Sequence, residues 1–284
     1  MTTDLRLHGA PAARFTLILA ILLVMSAYVV LILYPLANML LSSFRTTREI
    51  FRSPFALPQR LDLANYADVW IRRGFSRYLL NSVLVTAAAM AAVLLLGSMG
   101  AFGVARYRFR LNGAVSLLFL SGIMLPLKAA IIPLFQLMRR AGLVDHAASV
   151  ILIFVAMGLP SCVFILSGFM RAVPLELEHA ARIDGCSDWA IYQRVVLPMV
   201  SSAIALVTIY NAVPIWNDFF FPLVFLQSDR LKTLPVGLTS FFGQHSTDWN
   251  LLFTGLSISI LPVLILYLFL AKYFIRGMTA GALK

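Results

Sequence analysis

Charge is scarce in this 284-residue chain. Only 12% of its residues are Asp, Glu, Lys or Arg, and 61% are hydrophobic. Soluble domains carry about one quarter charged residues and about half apolar. With a mean hydropathy of +0.89, a soluble globular domain is excluded and a polytopic membrane protein is implied. Acid is scarcer than base: 12 Asp and Glu stand against 23 Lys and Arg, a net charge of +11. In a soluble protein that excess would suggest nucleic acid. Here the basic residues flank hydrophobic runs, so anionic lipid headgroups are the expected partner and nucleic acid is not. The two cysteines, Cys162 and Cys186, have no ligand spacing and read as free thiols. The four histidines are scattered, and neither H-E-x-x-H nor a paired-cysteine set occurs, so no metal site is expected. G-x-x-x-x-G-K-[ST] is missing, so the chain has no P-loop for ATP. G-x-S-x-G is missing too, and no constellation of an intramembrane enzyme remains. There is no internal repeat and no low-complexity tract.

What the chain has is long apolar runs. Six can be counted, at about 15–43, 79–105, 113–135, 148–170, 199–222 and 251–272. Each is expected to be a spanning helix, because lipid offers no partner to free backbone groups. The first run exceeds a signal-peptide core and lacks a small-residue cleavage site, so it is expected to be retained. Gly97, Gly100, Gly103, Pro126, Pro160 and Pro214 suit membrane helices that pack closely or bend. Basic residues divide evenly between the two sides, so the positive-inside rule decides no orientation.

One long polar stretch has helical character, from Pro174 to Pro198. Pro174 suits a first helical position. Glu176 and Glu178 fit the positive end of a helix, and Glu178 is spaced to pair with Arg182. Gly185 supplies a helix stop, with φ > 0 expected. Ser187 reads as the N-cap of a second helix, on which Trp189, Tyr192 and Val196 share a face. An amphipathic loop lying on headgroups would also fit this spacing.

The residues themselves favour a more specific reading. Glu178-His179-Ala180-Ala181, then Asp184-Gly185, then Leu197-Pro198 resembles the EAA loop of ABC importer permeases, with His179 where the family has glutamate. Arg276 to Lys284 looks like the G-L-T-x-G-x-x-K tail of carbohydrate-type, maltose-like permeases, with Met278 for leucine. Gly277 and Gly281 in that tail disfavour continued helix. Gly142-Leu143-Val144-Asp145 and Trp216-Asn217-Asp218-Phe219 also look like that subfamily.

The resemblance implies an all-α bundle of six transmembrane helices, one permease domain over 1–284. It has a coupling loop at 174–198 and a tail at 276–284. It implies half of a translocation pathway for a sugar, in a bacterial plasma (inner) membrane with both termini cytoplasmic. The implied partners are a second permease in a heterodimer, two ATPase subunits and an extracytoplasmic solute-binding protein. No cofactor is expected on this chain, which is not an enzyme; ATP and Mg belong to the ATPases. The implied ATPase-docking residues are Glu178, His179, Ala180, Ala181, Asp184, Gly185 and Trp189, with Gly277, Thr279, Gly281 and Lys284 of the tail also in reach. Burial of Trp189, Tyr192 and Val196 in an ATPase groove is expected to contribute to docking.

Polar residues inside the runs are candidates for the solute path. Asn211, Asn217 and Asp218 stand out, with Asn81 near an outer end. Asp218 is expected near the outer mouth, facing solute or capping a backbone N–H. Lys128 falls about 15 residues, or about 23 Å, into the third run and is expected to snorkel outward. Two other functions fit less of the sequence. An ion-coupled secondary transporter would need more intramembrane carboxylates than Asp218. An ABC permease for a polyol, glycerol phosphate or peptide differs only in solute.

Overall fold

The computed structural model describes residues 11–243 and 247–282, with side chains described over 15–243 and 247–271. The described residues are mainly helical, and the one β feature among them is a bridge between Phe242 and Thr247. In order, the helices are α1 (Pro11–Ser42), α2 (Thr47–Arg52), α3 (Ala64–Ala67), α4 (Phe75–Arg106), α5 (Asn112–Met124), α6 (Ile131–Arg140) and α7 (Ala147–Arg171). There follow α8 (Leu175–Ile183), α9 (Asp188–Ile191), α10 (Leu197–Met199), α11 (Ser201–Asn217), α12 (Phe220–Phe225), α13 (Leu234–Gly237) and α14 (Trp249–Ala282).

Four stretches are long and apolar enough to cross a membrane unbroken: Phe15–Ser42, Phe75–Arg106, Ala147–Arg171 and Trp249–Ala271. The third and fifth runs are each not one continuous helix. The third breaks by 82° between Met124 and Leu127. Leu125 is extended there (ψ 123°), as a residue before proline prefers, and Pro126 has no N–H to continue the ladder. At about 1.5 Å per residue, the 13 residues of α5 reach about 20 Å, short of a ~30 Å hydrocarbon core. The second arm of the 174–198 stretch meets α11 at 76°, at the start of the fifth run, and the run itself is interrupted after Asn217. Asp218 is extended, and its Oδ1 accepts from the Phe221 N–H at 2.9 Å, which starts α12 as a separate helix. So Asp218 sits at a break rather than inside a span. In the tail, α14 runs on through Gly277, Thr279 and Gly281 instead of ending there.

The core lies between α4, α7 and α11. Their backbones approach closely because small residues face each other. A Cβ on Gly97 would overlap Cys162, and one on Gly158 would lie 2.7 Å from a Val93 methyl. A second cluster joins the start of α4 to α13 and α14 through Phe75, Tyr78, Leu234 and Phe241. By contrast, α1 projects an exposed apolar surface along most of its length and meets the bundle near its C-terminal end. There Ser43 accepts or donates to the Tyr66 hydroxyl at 2.7 Å, and the buried Arg45 donates to carbonyls of Glu49 and Ser53.

Candidate functional site

The Pro174–Pro198 stretch forms a helical hairpin at one end of the bundle. Pro174 is the residue before the first turn rather than inside it, and α8 carries Glu176 and Glu178 in that turn. Gly185 turns the chain at φ +82°, as expected, and the amides of Gly185 and Cys186 return to the carbonyls of Arg182 and Ala181. Ser187 caps the second arm, accepting from the Ala190 N–H.

The pairing differs from the expected one. Glu178 turns away from Arg182 and meets Arg106 at the end of α4, 2.5 Å apart, with side chains 2% and 6% exposed. The two charges touch without an aligned hydrogen bond. Arg106 also donates to the Val173 carbonyl at 2.9 Å. Arg182 instead pairs with Asp188 at 3.0 Å, and the Tyr107 hydroxyl donates to the other oxygen of Asp188. Asp188 is thereby held below the ordinary carboxylate range, chiefly by Arg182. The Tyr107 hydroxyl is pushed up by burial and then by its bond to Asp188.

The shared face expected to meet an ATPase is divided. Tyr192 and Val196 are buried in this chain's own core with Ile191, and the Tyr192 hydroxyl is 2.7 Å from Ser98 on α4. The second arm widens into a π turn over Tyr192–Val196, which keeps these side chains against α4. Trp189 remains 50% exposed. His179, Ala180, Asp184 and Gly185 are exposed, Ala181 is half-buried, and Ile183 is 86% exposed. Glu178 is thus an internal brace, while the outward surface is mixed: Leu175, Leu177, Ile183 and Trp189 stand among exposed Glu176, His179, Arg182, Asp184 and Asp188. The side chains of Gly277 to Lys284 lie outside the described residues.

A crevice runs between α5, α7 and α11. One end is a cavity of about 790 Å³ with almost wholly apolar walls, reaching Arg171. The other is a cavity of about 900 Å³ that gathers all three path candidates, Asn211, Asn217 and Asp218. Asn211 is buried and accepts from Ser161 at 3.0 Å; Asn217 donates back to the Val213 carbonyl. Asn81 is elsewhere, donating to carbonyls of Arg230 and Lys232.

Lys128 lies between two α-helices rather than within one. It stands in the break after α5, with Nζ 3.3 Å from Asp218 Oδ2 and 5.9 Å from the Phe220 ring centre. Its side chain is 61% exposed and that of Asp218 is 8% exposed. The breaks in the third and fifth runs are therefore tied together across the cavity. On the same side of the bundle, Asp145 (φ +60°) accepts from the amides of Gln227 and Ser228 and from the Ser228 hydroxyl.

The sequence alone does not mark Arg106, Tyr107 or Ser161 as site residues. Arg106 was visible only as a charge at a helix end. Nothing local marks it as the partner of a residue far along the chain.

A bundle of helices long and apolar enough to cross a membrane, with a projecting hairpin and a crevice on one face, defines a polytopic membrane protein. Residues 93–280 match the family described as the inner membrane component of binding-protein-dependent transport systems. The chain belongs to that family, and it is a membrane permease subunit of an ABC importer. It is 34% identical over 274 residues to the diacetylchitobiose uptake system permease protein NgcG of Streptomyces coelicolor, covering 95% of this chain and 90% of the relative. It is 34% identical over 255 residues to the arabinooligosaccharides transport system permease protein AraQ of Halalkalibacterium halodurans, covering 88% and 91%. The fold is similar to a chain of a bacterial ABC transporter that imports the acidic polysaccharide alginate, with a TM-score of 0.80, 23% identity, and coverage of 94% and 99%. Membership sets aside the ion-coupled secondary transporter.

Proposed function

We propose that this chain forms half of the translocation pathway of a sugar importer, and that its hairpin receives an ATPase subunit. The observation that carries the docking reading is the hairpin itself. Its outward surface carries the exposed apolar side chains of Leu175, Leu177, Ile183 and Trp189 among charged ones, while its inward surface is bolted to α4. An exposed apolar patch on a braced element suits a protein partner. ATP and Mg would bind the two ATPases, and this chain would hydrolyse nothing and hold no cofactor. The crevice is open on one side, which suits a second permease that closes it as a heterodimer. A solute-binding protein would deliver sugar on the side of Asp145 and Asp218, opposite the hairpin. The hairpin and both termini would then be cytoplasmic. The names of the relatives and the amide, hydroxyl and aromatic groups of the larger cavity support an oligosaccharide over a polyol, glycerol phosphate or peptide.

The test is co-purification. Ile183→Asp adds charge to the hairpin surface without touching its internal bonds. Loss of ATPase from the purified complex, with the permease still inserted, is expected. Full ATPase retention together with parental uptake would overturn the docking reading.

A further inference from the structure

Between the end of α4 and the second arm of the hairpin lies a cleft of about 150 Å³, lined by Met99, Phe102, Tyr107, Asp188, Trp189 and Tyr192. The four rings form one wall. Phe102 lies 5.9 Å from Tyr107, edge to face, and 5.3 Å from Tyr192; Tyr192 lies 5.2 Å from Trp189. The single charged group in the lining is the Asp188 carboxylate. One of its oxygens accepts from Tyr107 and the other from Arg182, each at 3.0 Å. A carboxylate oxygen can accept two hydrogen bonds, so each keeps room for another. Aromatic faces are the negative side of a ring quadrupole. Rings together with a carboxylate, in a cleft open at the protein surface, are the chemistry that holds an organic cation.

We propose that this cleft receives one arginine side chain of the ATPase subunit. The inference rests on the docking reading above and names the contact that would make it specific. Three features favour a guanidinium. It is planar and stacks on an indole, and Trp189 offers a half-exposed ring. It donates two N–H groups at once, matching the unused lone pairs of Asp188. The carboxylate and the indole both belong to the hairpin, the element that projects from the bundle. A lipid ammonium is a point charge that uses neither the stacking plane nor a paired donor.

The test uses the importer purified with its own ATPase. The photo-crosslinking residue p-benzoylphenylalanine replaces Met99 inside the cleft, and separately replaces Ile183 on the hairpin surface. Trp189→Phe and Trp189→Leu are compared for ATPase association, since both keep apolar bulk and only Phe keeps a ring face. The expected result is a crosslink from position 99 to an ATPase peptide containing arginine, with association weakened about tenfold by Leu and little by Phe. If position 183 captures ATPase while position 99 captures lipid, nothing, or a peptide without arginine, the cleft proposal is overturned and docking stands. Equal effects of Leu and Phe overturn it in the same way. If neither position captures ATPase, the docking reading falls, and this proposal falls with it.

Discussion

Arg106 Nε stands 2.5 Å from Glu178 Oε1, and both side chains are almost closed to solvent. This contact fixes the first arm of the hairpin to the end of α4, just as the bond between Tyr192 and Ser98 fixes the second. A hairpin held at both arms moves α4 when it moves, so force applied outside the bundle enters it through a long helix packed on α7 and α11.

Removing one partner of the buried pair leaves a bare charge. Arg106→Ala or Glu178→Ala should each destabilise the hairpin by about 3–5 kcal/mol. The double variant Arg106→Met with Glu178→Leu should cost much less, since it removes both charges and keeps volume. Limited proteolysis within 174–198 reads this directly. Similar cleavage of single and double variants would remove the pair as a brace.

Gly185 lies at φ +82°, and nothing lies within 4 Å of where its Cβ would be. The barrier to substitution is therefore backbone strain alone. Gly185→Val should cost about 1–2 kcal/mol and uncouple ATP hydrolysis from uptake, with the spans still inserted. Gly185→Asn should be milder, because asparagine tolerates the left-handed region. The measurement is ATP hydrolysed per solute imported; equal ratios for Val, Asn and parent would refute the role of the turn.

Asp218 does two jobs that substitutions separate. Oδ1 caps the start of α12, and Oδ2 pairs with the largely exposed Lys128. An ion pair open to water contributes about 0–1 kcal/mol, and a lost cap costs about 0.5–2. Asp218→Asn keeps the capping oxygen and should reduce uptake modestly. Asp218→Ala loses both contacts and should reduce it more. If Asn is as damaging as Ala, charge rather than the cap governs this end of the cavity.

The contacts among Arg182, Asp188 and Tyr107 should also be insensitive to pH over a wide window, which a His179→Gln background isolates from the histidine on the same hairpin. Asp188 is held below its ordinary 3.8, chiefly by Arg182, so its contribution is present above that value and lost only as pH falls through the lowered one. Tyr107 is raised above its ordinary 10.0 by burial and by Asp188, and its neutral phenol is the donor. That contribution is present below 10.0 and lost as pH rises through the raised value. Hydrogen exchange of amides in 175–191, corrected for intrinsic rate, should show constant protection from pH 5 to pH 9. A midpoint inside that range would contradict the pairing of these two groups.

Much of the hairpin was legible. The helix-glycine-helix order, the positive φ of Gly185 and the cap by Ser187 depend on residue types a few positions apart, and the structure has all three. The pairing of Glu178 was not legible, because Arg182 sits at ideal spacing on the same helix and only the tertiary fold brings Arg106 closer. The same holds for Tyr192 and Val196. Their spacing defines an apolar face but not what covers it, and α4 covers it.

Composition and periodicity by themselves determined an all-helical membrane bundle, since 61% hydrophobic residues in six long runs leave the backbone no other way to satisfy its polar groups in lipid. They could not determine which of the runs break, or where. Pro126 makes a break cheap, but Pro160 and Pro214 lie inside unbroken helices. What separates them is tertiary: Asp218 caps a new helix at one break, and Lys128 reaches it from the other. The cavity with its polar lining exists because those breaks face each other, a relation between residues about 90 positions apart that no local pattern carries.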